Sequence, residues 1–479
     1  MILNRIMQVK PGFSWPALIC IIFIVSRLTA YACGVIFNMG FFTWGAQCLD
    51  IPLLQNKLWE SIWYMHGQPP LFNLYIAAVI NLFPDFLVKY VFQLCFLGFG
   101  LLHSLLLYKL LRELYIPMKI CVLITLYFML SPAAVLYENL FYYTQIELLL
   151  LTLSAWLLAR FLKQQTFINA FLFFLTLAVL ILTRSMFHWV WLLGFVMVLL
   201  ALLPAHRNIL LLAALIPLVL SGGWFYKNYV LYGKFASSSW LGMSLANVVK
   251  PQTGIAQKPR WKGIETYEDF IIPDTRFPGI EVLHTPYQSD SMVNLNYLPY
   301  LQVFDQFLEE SVKKIKSEPG QYFYNVLKGH YLYFNPAANY DGLSDNRPKI
   351  NIYAALYDLS FLNALYKRFT GKILYQPAFY IAIANILILL LSLRLCLLWV
   401  FSGNQEKRFH AFIMLYLLYN IAYIDFTGNF FEYSENVRFR FITIPSTLVL
   451  SGILLNYYLP HLSKFKWVKK FNNFNSLHK

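Results

Sequence analysis

Runs of about 20 apolar residues recur along the chain, at 15–37, 86–108, 118–136, 145–162, 167–183, 186–203, 208–225, 376–400, 409–427 and 441–460. An α-helix needs that length to cross the hydrocarbon core of a bilayer. In hydrocarbon a spanning segment must also satisfy its own backbone polar groups, which a helix does internally. With 59% hydrophobic and 13% charged residues, against about 25% charged in an ordinary soluble domain, this chain has too little polar surface to enclose its apolar side chains in water. The expected fold class is an all-α polytopic membrane protein of about ten transmembrane helices. The net charge of +15 does not point to nucleic acid, because the basic residues sit in short loops beside the apolar runs, as at cytoplasmic edges of membrane helices. The first apolar run begins near Trp15 with no small-residue cleavage site after it, so a cleavable signal peptide is not expected.

The flanking charges orient the helices. Arg5 and Lys10 precede the first, and Lys109, Arg112 and Lys119 separate the second from the third. Arg160 and Lys163 follow the fourth, Arg207 lies between the sixth and seventh, and Lys407 and Arg408 precede the ninth. Lys464, Lys466, Lys469 and Lys470 form the tail. Ten helices with both termini inside place every one of these groups on the cytoplasmic face. Residues 1–225 then form an N-terminal transmembrane module, 226–375 an external and mostly α loop domain, and 376–479 the C-terminal helices with a basic tail.

That arrangement excludes "PPLFNLYIAAVINLFP" (69–84) as a span, because counting it would move the basic loop at 109–119 to the outside. Residues 38–85 are therefore expected outside, as two juxtamembrane helices: "IPLLQNKLWESIWYM" (51–65), then one starting at the proline pair of "HGQPPLFN" (66–73). In the long external stretch, "VFDQFLEESVKKIK" (303–316) has the amphipathic spacing of a surface helix, and Pro319 suits the first turn of the next. Five of the six cysteines lie in apolar runs and only Cys48 in an external loop, so no disulfide framework is expected. No C-x-x-C or His-rich metal spacing occurs.

This topology gathers a mixed set of polar residues on the external side. The first loop supplies Asp50, Glu60, His66 and Gln68; "YENLFYYT" supplies Glu138, Asn139 and Tyr142; "RSMFH" supplies Arg184 and His188. Lys227 and Asn228 open the long loop, and "EYSENVRFRF" supplies Glu432, Glu435, Arg438 and Arg440. Carboxylates and cations at the edge of a bundle suit transfer of a group from a lipid-phosphate carrier. The isoprenoid tail lies in the bilayer, cations hold the departing phosphate, and a carboxylate takes the proton of an attacking hydroxyl. The transition state is oxocarbenium-like, so a nearby carboxylate also stabilises it. A monophosphate leaving group needs less neutralisation than a diphosphate, so no cofactor is expected, with a divalent metal left open.

The order Asp50, "IPLL", "LWESIWYMHGQPPLFN" resembles the first external loop of GT-C glycosyltransferases. The likeness is to the bacterial branch related to lipid A core and 4-amino-arabinose transferases, and more distantly to protein O-mannosyltransferases. Those families place an acidic residue after the first membrane helix, then a "PPL" juxtamembrane helix. A second acidic residue follows a proline after the third membrane helix, here "SPAAVLYE" (131–138). An arginine-containing stretch leads into a proline-bearing helix, here "ENVRFRFITIP" (435–445), and "SSSWLGMSLAN" (237–247) resembles a recurring segment of the branch. The resemblance covers most of the membrane part and is weakest over 250–375. It implies a GT-C fold, a polyprenyl-phosphate sugar donor and inversion at the anomeric carbon, with Asp50 and Glu138 at the catalytic acidic positions. The chain departs from the mannosyltransferases in that Ile51, not a second acid, follows Asp50.

Each candidate also has a plain structural reading. Asp50 precedes Ile51-Pro52, where an N-cap fits, and Glu138 can end a helix. His66 and Gln68 can bond backbone around the proline turn. Arg438 and Arg440 alternate, so one of them faces a pocket; Arg438, three residues after Glu435, is favoured. Arg27 lies inside the first helix, where arginine is costly and often functional. Arg184, His188 and Lys227 are further candidate phosphate ligands. The expected activity is transfer of a sugar from a polyprenyl-phosphate donor to a glycan, lipid or protein acceptor, with the active site on the periplasmic side of a bacterial inner membrane. The absence of an N-x-S/T sequon leans the same way. The rival is a transporter or flippase of a lipid-linked glycan, which more often shows inverted repeats and midplane polar groups. A non-catalytic assembly subunit is a third reading.

Overall fold

The computed structural model describes residues 14–44, 47–249, 274–371 and 376–462; Arg5, Lys10 and the basic tail lie outside them. The described residues form helices and no β-sheet, with two isolated bridges, Asn38 to Leu140 and Tyr287 to Val293. In chain order the main helices are α1 Trp15–Ala32, α2 Ile51–Asn56, α3 Leu58–Tyr64, α4 Leu71–Leu82, α5 Asp85–Glu113, α6 Met118–Met129 and α7 Pro132–Tyr137. Then follow α8 Thr144–Gln164, α9 Phe167–Thr183, α10 Trp189–Leu202, α11 Arg207–Tyr232, α12 Leu241–Val249, α13 Tyr300–Ser317 and α14 Pro319–Tyr333. Two short helices, α15 Asn351–Tyr357 and α16 Ser360–Thr370, precede α17 Pro377–Trp399, α18 Gln405–Phe430 and α19 Asn436–Leu462.

Among the described residues seven helices are long and apolar enough to cross a membrane: α1, α5, α8, α11 with the turn before it, α17, α18 and α19. Three other predicted spans are shorter. Helix α9 has 17 residues, α10 has 14, and the run 118–136 is broken at Ser131-Pro132 into α6 and α7. The break has a local cause: proline cannot donate to the preceding turn, and the Ser131 hydroxyl accepts from the Ala134 amide to start a new helix. Helix α4, beginning directly after the proline pair, is only 12 residues long. The predicted juxtamembrane helix 51–65 is interrupted at Lys57, and the amphipathic run at 303–316 lies inside α13.

The basic loops converge at one end of the bundle. Lys163 forms an ion pair with Glu113 at 2.6 Å and lies over the rings of Tyr115 and Phe409. His410 bonds the Leu114 carbonyl at 2.9 Å. Beside the middle of α5, Arg27 of α1 reaches Glu138 just past α7. Its Nε and Nη2 donate to the two carboxylate oxygens at 2.7 and 2.5 Å, and Nη1 donates to the Met129 carbonyl and the Ser26 hydroxyl. Both residues are buried, at 3% and 2% exposure. The bidentate geometry is the strong form of such a pair, and it answers the arginine inside α1. Gly100 on α5 makes room for it: a Cβ there would lie 2.3 Å from Glu138 Oε1.

The "HGQPPLFN" turn is a clasp. Asn296, from the long stretch between α11 and α17, accepts the amides of His66 and Gly67 on its Oδ1 at 3.0 and 2.8 Å. The His66 ring lies between the Ser239 hydroxyl, 2.8 Å from Nδ1, and the Asn296 carbonyl, 3.0 Å from Nε2. A carbonyl can only accept, so Nε2 carries the proton and Nδ1 accepts from Ser239. Burial, helped by the Lys227 cation, pushes His66 down to about 3. Lys227 Nζ donates to the Met65 carbonyl at 2.8 Å, and the Tyr232 hydroxyl donates to that of Tyr64. Gly67 is required by the close approach of Trp240, whose Nε1 a Cβ would meet at 2.9 Å. Helix α11 ends at Gly233, in the left-handed region at φ +71°, which turns the chain toward this clasp.

Two outcomes follow. Glu138→Gln strands the Arg27 guanidinium and should cost about 3–5 kcal/mol, read as a lowered unfolding midpoint in detergent. Gly100→Ala should lower it as well by displacing Glu138, whereas replacing both ends of the pair with apolar residues should recover much of the loss. The second outcome concerns pH. His66 sits below its ordinary value of 6.5 in the fold, so its contribution is present above about 6.5 and fades as the pH falls toward 3. The stability gap between the parent and His66→Gln should be widest at neutral pH and narrow on acidification.

Candidate functional site

The end of the bundle that carries the polar turns encloses a cavity of about 840 Å³. Its walls come from segments distant in sequence: the turn before α8, the turn 184–188, the stretch 235–244, the segment 340–342, the last turn of α18 and the start of α19. Packing fixes each of them. Tyr423 on α18 donates its hydroxyl to the Met186 carbonyl at 2.9 Å and accepts the His188 amide at 3.0 Å, which pins the 184–188 turn. The Phe72 ring of α4 lies 5.6 Å from that of Phe141 and 5.4 Å from that of Tyr143, so the helix after the prolines buttresses the turn before α8. Asn436 donates to the Asn429 side chain at 2.8 Å and to the Gly428 carbonyl at 3.1 Å, closing the loop between α18 and α19.

Arg184 is the centre of charge. It is 7% exposed and lines the cavity, with its guanidinium 4.4 Å above the Tyr143 ring. Glu147 Oε1 is 3.6 Å away and Glu435 Oε2 3.7 Å away, both beyond hydrogen-bond reach. Its Nε and Nη1 make no hydrogen bond among the described residues. Arg438 lies behind the Tyr142 and Tyr143 rings, 4.5 and 5.2 Å from their centres. It bonds the Glu435 carboxylate and, at 3.3 Å, the Thr144 hydroxyl, and its Nε is also without a partner. A buried guanidinium with unused donors beside an open cavity is arranged to take an anion.

The rest of the wall has two characters. Ser185, Ser237, Ser238, Ser244, Thr427 and Gln68 line it with polar side chains, and Asp341, Glu432 and Glu435 supply carboxylates. Val190 and Phe426, both exposed, bring one edge of the cavity to the apolar flank of the bundle. The site thus has an anion-receptive floor, hydroxyl and carboxylate walls, and an apolar margin.

The residues predicted from sequence divide. Gln68, Arg184, His188 and Glu435 line the cavity, and Arg438 stands directly behind it. His188 also caps α10, its Nδ1 accepting the Val190 amide at 3.2 Å. His66 and Lys227 belong to the clasp that holds Ser237–Trp240 in the wall. Arg440 turns away from the cavity, donating to the Asn335 carbonyl at 2.8 Å. Arg27 and Glu138 pair with one another away from the cavity. Asp50 is not in the wall either; its oxygens accept from the amide and hydroxyl of Ser289 at 2.9 and 2.6 Å.

Glu147, Tyr143 and Asp341 are among the contributors that were missed. Glu147 had a signal, since a carboxylate within the apolar helix "TQIELLLL" is costly and calls for a partner. Tyr143 and Asp341 had none. Among the described residues no group of three or more His, Cys, Asp or Glu side chains could hold a metal. Compared with protein-family models, with curated proteins and with solved structures, the chain matches none.

Proposed function

We propose that the protein is an integral-membrane, inverting glycosyltransferase that moves a sugar from a polyprenyl-phosphate donor to an acceptor hydroxyl at the membrane surface. The observation that carries this reading is Arg184, buried, with two guanidinium nitrogens unused, on the floor of a cavity whose edge reaches the apolar flank. A donor with an isoprenoid tail needs that combination: a cation for the phosphate and an apolar margin for the tail. Sugar hydroxyls are recognised by carboxylates, amides and hydroxyls, which are the groups of the remaining wall. The transferred sugar leaves a phosphate that gains one negative charge, so a fixed guanidinium with spare donors stabilises departure more than the ground state.

Ten crossings with the basic loops on the cytoplasmic side, hence a site on the periplasmic face of a bacterial inner membrane, belong to the same reading. Lys163 with Glu113, and His410 with Leu114, support it by gathering the basic loops at the end away from the cavity. The acceptor class, whether lipid, glycan or protein, stays as broad as the sequence made it.

Arg184→Met keeps most of the apolar bulk and removes the donors. Hydrogen bonds to charged groups contribute about 1.5–3 kcal/mol, so the variant should bind undecaprenyl phosphate at least about tenfold more weakly. Thermal stabilisation of the purified, full-length protein by that lipid is the readout. Equal stabilisation of parent and variant would remove Arg184 from the site. A parent that binds lipid-linked glycan and carries it across vesicles without releasing its sugar would instead favour the transporter.

A further inference from the structure

Of the acidic side chains near the cavity, most are already engaged. Glu435 bonds Arg438 and faces Arg184. Glu147 is buried at 1% exposure and directed at Arg184. Glu432 accepts the Tyr433 amide at 3.1 Å. Glu138 is held by Arg27, and Asp50 by Ser289 outside the wall. Asp341 differs: it lines the cavity, it is exposed to water, and its carboxylate makes no hydrogen bond or ion pair among the described residues.

Its backbone, by contrast, is firmly held. The neighbouring Tyr340 ring is buried and stacks on Tyr137, with ring centres 5.9 Å apart and planes 11° from parallel. Asn346 clamps the exit of α1, accepting the Ile36 amide at 3.0 Å and donating to the Ile36 carbonyl at 2.7 Å. The Asn38 side-chain Nδ2 donates to the Asp345 carboxylate at 2.7 Å. Gly342 follows so closely on Tyr340 that a Cβ would lie 2.6 Å from its ring. An open carboxylate on a rigid mount, in the same cavity as an unsatisfied buried guanidinium, has the attributes of a base placed across a reacting centre from an anion holder.

We propose that Asp341 is the general base of the transfer, the external stretch thereby supplying a catalytic residue to the membrane part; this rests on the glycosyltransferase reading above. Asp341 removes the proton of the acceptor hydroxyl as its oxygen bonds the anomeric carbon. The bond from that carbon to the phosphate oxygen breaks, and its electron pair leaves on polyprenyl phosphate, which Arg184 holds. The proton ends on Asp341, and attack opposite the departing phosphate inverts the anomeric carbon.

The test uses full-length protein in membrane vesicles and a panel of undecaprenyl-phosphate-linked hexoses and pentoses, reading release of undecaprenyl phosphate, with lipid-induced thermal stabilisation measured in parallel. Asp341→Asn should keep stabilisation by undecaprenyl phosphate and lose about 10²–10⁴-fold in release. Asp341→Ala should regain part of its release with added formate, a rescue that a merely structural residue would not show. Parental release by Asp341→Asn, or loss confined to Asp50→Asn, overturns the base assignment and leaves the glycosyltransferase reading standing. Loss of lipid stabilisation together with release in Asp341→Asn also overturns it, since the residue would then serve binding or folding. A parent that neither binds the lipid nor releases it from any donor overturns the glycosyltransferase reading and the base assignment with it.

Discussion

A guanidinium withdrawn from water needs partners, and this protein buries four among the described residues: Arg440, held by the Asn335 carbonyl away from the cavity, and three that lie beside carboxylates. Arg27 is fully satisfied by Glu138, Met129 and Ser26. Arg438 is partly satisfied by Glu435 and Thr144. Arg184 stands 3.6 and 3.7 Å from its carboxylates and leaves donors unused. The gradient separates support from function: the saturated pair joins α1 to the segment after α7, whereas the unsaturated cation faces the cavity. Removing one partner of a buried pair is costly, so the incompletely paired Arg184 is the member of the set that gains most from an incoming phosphate.

Seven of the ten apolar runs read from the chain are helices long enough to span, because hydrocarbon imposes length and composition on each helix independently of the others. Helices α5, α8, α11, α17, α18 and α19 lie close to the apolar runs read from the chain. The proline pair of "HGQPPLFN" likewise announced that α4 would begin there and stay short. Partnerships were not legible. Arg27 and Glu138 are 111 residues apart, and His66 and Asn296 are 230 apart; nothing local in either sequence names the other. His66 therefore read as a site residue, although its environment, a buried neutral ring between Ser239 and Asn296, is that of a clasp. Arg438 and Arg440 could be separated only because Glu435 lies three residues before the first of them.

The stretch between α11 and α17 was the least legible part and contributes most to the cavity beyond the long apolar helices. Proline-rich and weakly periodic, it gave the sequence reading a size but no role. In the fold its Asn296 organises the turn after α3, its segment at 235–244 forms one wall, and its short helical turn at 341–343 supplies the unengaged carboxylate. "SSSWLGMSLAN" lines the cavity as well as resembling a family segment, because Ser238 donates to the Gly67 carbonyl at 2.6 Å and draws that stretch against the clasp. The proline turn thus acts through what it holds in place.

The central claim is that Arg184 receives a lipid-borne phosphate. A structure of the full chain with undecaprenyl phosphate in a lipid nanodisc tests it most directly. The expected result is a phosphate oxygen about 3 Å from Arg184 Nε or Nη1, with the isoprenoid leaving the cavity past Val190 and Phe426. A phosphate bound at another surface, with Arg184 unchanged and the cavity occupied only by water, would contradict it.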